Sequence, residues 1–203
     1  MKLYDGGRAP NPRRVQIFLQ EKAIEIDKVP VNIGKLEHRQ ASFAALNPMT
    51  GLPVLELDDG TILTESMAIC RYFEGIQPEP PLMGVGVLDC AIVEMWQRRC
   101  EQYLFTPVSQ SFRHIHPAAA ALEGEQVPRW GEINQGRALK FMAFLDDELA
   151  TREFIAGARF SVADITALVA CQFLKPARIN FPEKLINLKR WFDQGASRPG
   201  AAL

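Results

Sequence analysis

Three prolines in Gln77-Pro78-Glu79-Pro80-Pro81 cut the chain into two stretches with different periodicities. Proline lacks a main-chain N–H and its ring blocks the preceding turn, so neither a helix nor a strand runs easily through such a segment. Before it, short β-branched runs alternate with helical ones. After it, no strand pattern survives. The predicted architecture is an α/β domain over residues 1–80 followed by an all-helical domain over residues 81–203, and a chain of 203 residues has room for two such cores.

Within the first stretch, Lys2 to Asp5 reads as a strand closed by Gly6-Gly7. Val15, Phe18 and Leu19 fall at helical spacing after Pro12, a residue suited to a first helical turn. Val29, Val31 and Ile33 alternate as a second strand, and Pro30 assigns it to an edge. A short helix between His38 and Leu46 is followed by a strand at Val54, Leu55 and Leu57. Asp58-Asp59-Gly60 turns the chain into an antiparallel partner at Thr61 to Thr64, and a helix starts near Ser66. Helical periodicity then dominates 87–105, 127–149, 161–174 and 183–194.

Composition excludes several classes. A formal net charge of −1 offers nothing to draw the chain to nucleic acid or an anionic membrane. No apolar run reaches the roughly 18 residues a membrane span needs. The start, Met1 to Gly7, lacks an apolar signal core. Cys70, Cys90, Cys100 and Cys171 show no CxxC or zinc-like spacing, so buried free thiols and a cytoplasmic location are expected.

Several strings occur in order along nearly the whole chain: Asn47-Pro48 with Leu52-Pro53-Val54-Leu55, then Leu63-Thr64-Glu65-Ser66, then Phe160-Ser161-Val162-Ala163-Asp164-Ile165. Jointly they resemble the cytosolic glutathione transferases, especially the atypical bacterial and fungal members that lack the usual catalytic tyrosine, serine or cysteine. The resemblance implies a thioredoxin-like first domain, a helical-bundle second domain with a hydrophobic substrate pocket, glutathione as cosubstrate with no tightly bound cofactor, and a homodimer. It also implies a cis bond between Leu52 and Pro53, which turns the main chain of Val54 outward at a sheet edge so that an extended peptide adds there as a short strand. Ser66, at the N-cap of the third helix, and the free N–H groups beside it suit the γ-glutamyl carboxylate, while Glu65 suits its ammonium. His38 matches a position that reaches the glycine carboxylate in related classes; a solvated loop histidine is the other reading.

The reaction needs an acidified thiol. At a reference pKa of about 8.5 only about 3% is thiolate at pH 7; a drop of about two units gives roughly 75%, equivalent to ~2.7 kcal/mol. Where serine-type members carry the hydroxyl this chain has Ala9, where cysteine-type members carry the thiol it has Asn11, and Tyr4 sits within the first strand. Two substitutes are candidates. Asn11 either faces the sulfur with its amide or caps the first helix, whose free N–H groups and dipole also favour an anion. Arg13 and Arg14 make that helix start electropositive or are solvated. In the second domain, residues 105–117 are expected to border the substrate pocket, with His114 positioning a water or polarising the thiol. His114 and His116 lack a third partner at ligand spacing, so no metal site is expected.

Ser161 to Asp164 reads as a helix-capping box with Phe160 and Ile165 as its staple, a structural motif without chemistry. The expected activity is conjugation of glutathione to an electrophilic small molecule. A glutathione-dependent peroxidase or reductase, or a non-catalytic glutathione-binding protein, are the alternatives.

Overall fold

The computed structural model describes residues 1–198 and 200–201, and its contacts divide into two compact units. The first runs from Met1 to Leu82 and includes Gly200 and Ala201; the second runs from Met83 to Arg198. The helical domain expected to extend to residue 203 thus gives way earlier: the Arg13 guanidinium donates to the carbonyls of Gly200 (3.4 Å) and Ala201 (3.2 Å), holding them to the α/β unit.

The first unit contains β1 (Lys2–Asp5), α1 (Pro10–Glu21), β2 (Asp27–Pro30), α2 (Ala41–Leu46), β3 (Val54–Glu56), β4 (Ile62–Thr64) and α3 (Ser66–Ile76). The sheet order is β2-β1-β3-β4, with β1 parallel to β2 and the other pairs antiparallel. Two single 3-10 turns, Ile33–Lys35 and Glu37–Arg39, join β2 to α2. Pro30 ends the edge strand β2, where its missing N–H costs no interior ladder bond. The expectation for Val54 is corrected: β3 lies inside the sheet, because the Asp59-Gly60 turn lays β4 along its outer side. Leu3, Val15, Phe18, Leu55, Ile69 and Phe73 form the core of this unit.

At the end of α1, Lys22 is buried, yet its ammonium is fully served. Its Nζ lies 2.7 Å from a Glu74 carboxylate oxygen and donates to the carbonyls of Gln77 (2.7 Å) and Pro80 (2.8 Å). The proline-rich segment read as a linker is therefore fastened through its carbonyls to the α/β unit.

In the second unit, α4 (Gly86–Cys100) passes through a π-helical turn (Glu101–Phe105) into α5 (Thr106–Ile115), with helical dihedrals kept across both junctions. A 3-10 turn at Pro117–Ala119 precedes α6 (Ala120–Glu123), α7 (Pro128–Leu149), α8 (Val162–Gln172) and α9 (Ile186–Ala196). From Val162 to Cys171 every residue of α8 is buried, the pattern of a helix enclosed on all sides. α5 and α7 touch closely at Gly131, where an added Cβ would stand 2.4 Å from a side-chain carbon of Ile115. None of the described helices is long and apolar enough to cross a membrane.

The capping box forms at the start of α8 and reaches further than local capping requires. Asp164 accepts from the Ser161 N–H (2.9 Å) and hydroxyl (2.8 Å), from the Ile155 N–H (2.9 Å), and from the Trp191 indole (2.8 Å). Burial pushes its carboxyl pKa up, against the pull of those donors. Phe160 packs edge-on against Phe154, with ring centroids 5.7 Å apart. Asp164→Ala strands the Trp191 and Ile155 donors, each worth ~1–3 kcal/mol when left unmet. Its urea midpoint should fall by the equivalent of about 3 kcal/mol, against about 1 kcal/mol for Ser161→Ala.

Candidate functional site

The first strand and helix are joined by a loop that the side chain of Gln16 holds in place. Its amide donates to both Asp5 carboxylate oxygens (2.8 Å each) and to the Gly7 carbonyl (3.0 Å), while the Gly7 N–H donates to Asp5 (3.0 Å). The loop delivers Ala9 as the N-cap of α1, with extended backbone and no side-chain cap. The helix thus begins at Pro10, two residues before the predicted start. This changes what its end can offer. Pro10 and Pro12 have no N–H, so Asn11 carries the single main-chain donor among the first three helical residues.

Asn11 sits in the second helical position and is exposed, so it does not cap the helix. Its Oδ1 accepts from the Arg14 guanidinium at 3.1 Å and lies 3.5 Å from the Ser66 hydroxyl. With the oxygen taken, Asn11 retains its amide NH₂ and its main-chain N–H, and neither donates to another described residue. Arg14 is not a solvated surface arginine: it is 1% exposed and stands behind Asn11. Arg13 is half-buried and turned to Gly200 and Ala201.

At the neighbouring sheet end, the Leu52–Pro53 bond is cis. Val54 is in register with Tyr4 on one side and with Thr64 on the other. The β1 ladder stops there because the next residue, Pro53, has no N–H to give. One step beyond Thr64 in the same register, Glu65 adopts φ +68°, a backbone state costly for a side-chain-bearing residue. That bend makes Glu65 the N-cap of α3 and moves Ser66 to the first helical position, correcting the expectation that Ser66 is the cap. Its hydroxyl turns to Asn11 instead of the helix end, leaving the N–H groups of Ser66, Met67 and Ala68 without an acceptor among the described residues. The exposed Glu65 carboxylate likewise has no partner among them. Asn11, Ser66, Glu65 and the Leu52–Val54 segment therefore belong to one neighbourhood, built from the starts of α1, β3 and α3.

Other candidates are placed elsewhere. His38 is buried in the 3-10 turn Glu37–Arg39, so it is not a solvated loop histidine. The Tyr4 hydroxyl donates to Glu56 at 2.7 Å; that bond, then burial and the Glu56 charge, push the phenol pKa up. Tyr4 is thereby occupied. His114 is buried at the end of α5, where its Nδ1 accepts the Val127 N–H (3.1 Å) and its Nε2 faces Glu123 (3.6 Å). His116 caps the turn after α5, its Nδ1 accepting from the Ala118 N–H at 3.2 Å. Among the described residues no group of three or more His, Cys, Asp and Glu could hold a metal ion. Cys70, Cys100 and Cys171 are buried as expected, whereas Cys90 is exposed. Burial pushes the Cys70 and Cys171 thiols up to about 12. The Gln16 brace and the buried Arg14 escaped the sequence reading, since a polar residue in a helical run ordinarily faces water.

Two family models match the chain: the glutathione S-transferase N-terminal domain over residues 9–76 and the glutathione S-transferase C-terminal domain over residues 102–199. The chain is 35% identical to glutathione S-transferase 2 of Saccharomyces cerevisiae, across 98% of this chain and 87% of that one. A glutathione S-transferase domain-containing protein from Marinobacter aquaeolei superposes with a TM-score of 0.95 at 39% identity, covering 100% of both chains. Gtt2 from Saccharomyces cerevisiae superposes at 0.94 with 35% identity, covering 99% of this chain and 98% of that one. A full-length relative above 30% identity, both domain models in order and the same two-part fold agree: this chain belongs to the glutathione S-transferase family.

Proposed function

We propose that the chain binds glutathione at the joined starts of α1, β3 and α3 and conjugates it to an electrophilic small molecule, the thiolate sulfur staying on the tripeptide and forming a thioether bond as the electrophile releases its leaving group or takes up a proton. The observation that carries this reading is the Asn11–Ser66 contact (3.5 Å), which joins a thiol-facing donor to a carboxylate-binding helix end. The tripeptide's main chain pairs with the Leu52–Val54 segment, where the β1 ladder has ended. Its γ-glutamyl carboxylate takes the free N–H groups at the start of α3, and its ammonium takes Glu65. His38 is assigned the glycine carboxylate.

Thiol activation falls to Asn11. Two uncommitted donors on one residue suit a developing thiolate, and hydrogen bonds to a charged group are worth about 1.5–3 kcal/mol each. Arg14 fixes which end of the amide faces outward. His114 is assigned to holding the segment after α5, since its Nδ1 already accepts from Val127. Thiol–disulfide exchange through the protein is the less supported alternative, because residues 9–14 hold no cysteine and the Cys70 and Cys171 thiols are buried. A cytoplasmic homodimer acting in detoxification goes with the reading.

Retention on immobilised glutathione, followed by conjugation of 1-chloro-2,4-dinitrobenzene, tests the proposal. Failure to bind glutathione overturns it, and binding without turnover reduces the chain to a binding protein. In Asn11→Ala the ultraviolet thiolate signal of bound glutathione should titrate about one pH unit higher, with glutathione affinity nearly kept. An unchanged titration removes Asn11 from the mechanism. Glu65→Gln should raise the KM for glutathione about tenfold while moving kcat little, as loss of a ground-state ion pair does.

A further inference from the structure

Two adjacent arginines near the start of α1 each fix the orientation of an amide side chain. Arg14 reaches back to the Asn11 oxygen at 3.1 Å, and Arg13 reaches forward to the Gln16 oxygen, donating through Nη1 at 3.2 Å. Side chains three residues apart share a helix face, so both reaches are short. With its oxygen on a guanidinium, Gln16 turns its NH₂ the other way. That group meets both Asp5 carboxylate oxygens at 2.8 Å and the Gly7 carbonyl at 3.0 Å. Asp5 is buried, and one of the same oxygens also accepts the Gly7 N–H at 3.0 Å. Bonds to an ionised acceptor are stronger than neutral ones. The last residue of β1 is thereby tied to the second turn of α1.

The outer end of this brace is the far end of the chain. Arg13 is forked: while Nη1 serves Gln16, Nη2 donates to the carbonyls of Gly200 at 3.4 Å and Ala201 at 3.2 Å. Gly200 packs so closely on α1 that an added Cβ would stand 2.7 Å from the Cβ of Gln20 and 3.4 Å from the Cα of Ile17. Arg13, Ile17 and Gln20 follow one another at helical spacing, so a single stripe of α1 carries the contact. Ala201 is fully buried.

β1 and α1 carry different parts of the proposed glutathione site. Tyr4 on β1 is in register with Val54, so β1 fixes the Leu52–Val54 segment, while α1 fixes Asn11. Only the loop Gly6–Ala9 joins the two along the chain. We propose that Gln16 is a positioning residue for the thiol chemistry: clamped through Arg13 to Gly200 and Ala201, it holds the end of β1 against α1 and so sets the distance between the segment that pairs with the tripeptide and the amide that faces its sulfur. The inference rests on the transferase reading and adds to it a dependence on the C-terminal residues. Loosening the joint leaves the contacts at Val54, Glu65 and Ser66 in place, so glutathione still binds. Its sulfur loses alignment with Asn11, and misplacement by about 1 Å costs on the order of 10²-fold in rate.

The test uses the full chain with glutathione and 1-chloro-2,4-dinitrobenzene, following kcat, KM and the ultraviolet titration of the bound thiolate. Gln16→Glu keeps the side chain's size but sets a carboxylate against Asp5. It should lower kcat about tenfold and raise the thiolate titration by about half a pH unit, with the KM for glutathione within about twofold. Asp5→Asn added to Gln16→Glu exchanges donor and acceptor and should recover most of the lost kcat. Gly200→Val alters no residue of the brace but pushes the C-terminal segment away from Ile17 and Gln20. It should lower kcat about threefold and move the titration in the same direction, and it carries the test if Gln16→Glu does not fold. A titration unmoved in Gln16→Glu overturns the inference. So does a fall in kcat matched by an equal rise in KM, the mark of a joint that serves stability alone. Gly200→Val behaving as wild type overturns the clamp to the C-terminal residues. A wild-type chain that gives no thiolate signal with glutathione fails at the transferase reading, whereas a normal wild-type signal unmoved by either variant overturns this inference alone.

Discussion

The buried guanidinium of Arg14 is the constraint on which the α/β site depends. A charge 1% exposed is tolerated only where hydrogen bonds replace its lost water, and one of those acceptors is Oδ1 of Asn11. An amide can present either its oxygen or its NH₂ outward. Tying the oxygen to a cation settles the choice and leaves a donor facing solvent. The Ser66 hydroxyl on the same oxygen carries the constraint from α1 to α3. One buried cation thus sets the polarity of the exposed side chain in front of it and joins two helix starts that are far apart in sequence.

Most of the framework was legible, and the reasons are local. The proline run, the Asp58-Asp59-Gly60 turn and Pro30 at a strand end act through φ restriction and missing donors, which do not depend on tertiary context. The Ser161–Asp164 box was legible for the same reason, but the Ile155 and Trp191 donors on Asp164 were not, because they come from distant parts of the chain. Of the residues singled out from the sequence as a candidate site, two are placed differently in the structure. Glu65 takes a positive φ that its residue type disfavours, which moved the cap by one position. Val54 proved interior to the sheet because strand order is decided by the hairpin that follows it. The burial of Arg14 was invisible, since nothing in Arg13-Arg14 says which of two adjacent cations faces inward.

Lys22 shows the same logic at the boundary of the unit. An ammonium offers three donors, and three short contacts meet it: Glu74, the Gln77 carbonyl and the Pro80 carbonyl. The face of Phe18, with its centroid 5.3 Å away, adds a favourable quadrupole. Prolines cannot donate hydrogen bonds, but their carbonyls and those of their neighbours accept them well. A proline-rich segment beside a buried lysine is therefore an anchored strap, although its composition alone reads as a spacer.

The resemblance read from the sequence puts Ala9 where serine-type members carry a hydroxyl, and on the proposed reading the energetics show how the chemistry proceeds without one. Bringing a thiol from a pKa of about 8.5 to 6.5 requires ~2.7 kcal/mol. One hydrogen bond to a charged acceptor supplies about 1.5–3 kcal/mol, and a helix N-terminus adds about 0.3–1 kcal/mol where its N–H groups are free. In α1 the prolines at 10 and 12 withdraw two of the first three donors, so the helix end acts almost wholly through Asn11. A serine hydroxyl would offer a single rotatable donor, whereas Asn11 offers a main-chain N–H and an amide NH₂ oriented by Arg14. On the proposed reading the missing hydroxyl is offset by preorganisation: two donors held in place beforehand stabilise the thiolate without reorganising when it forms.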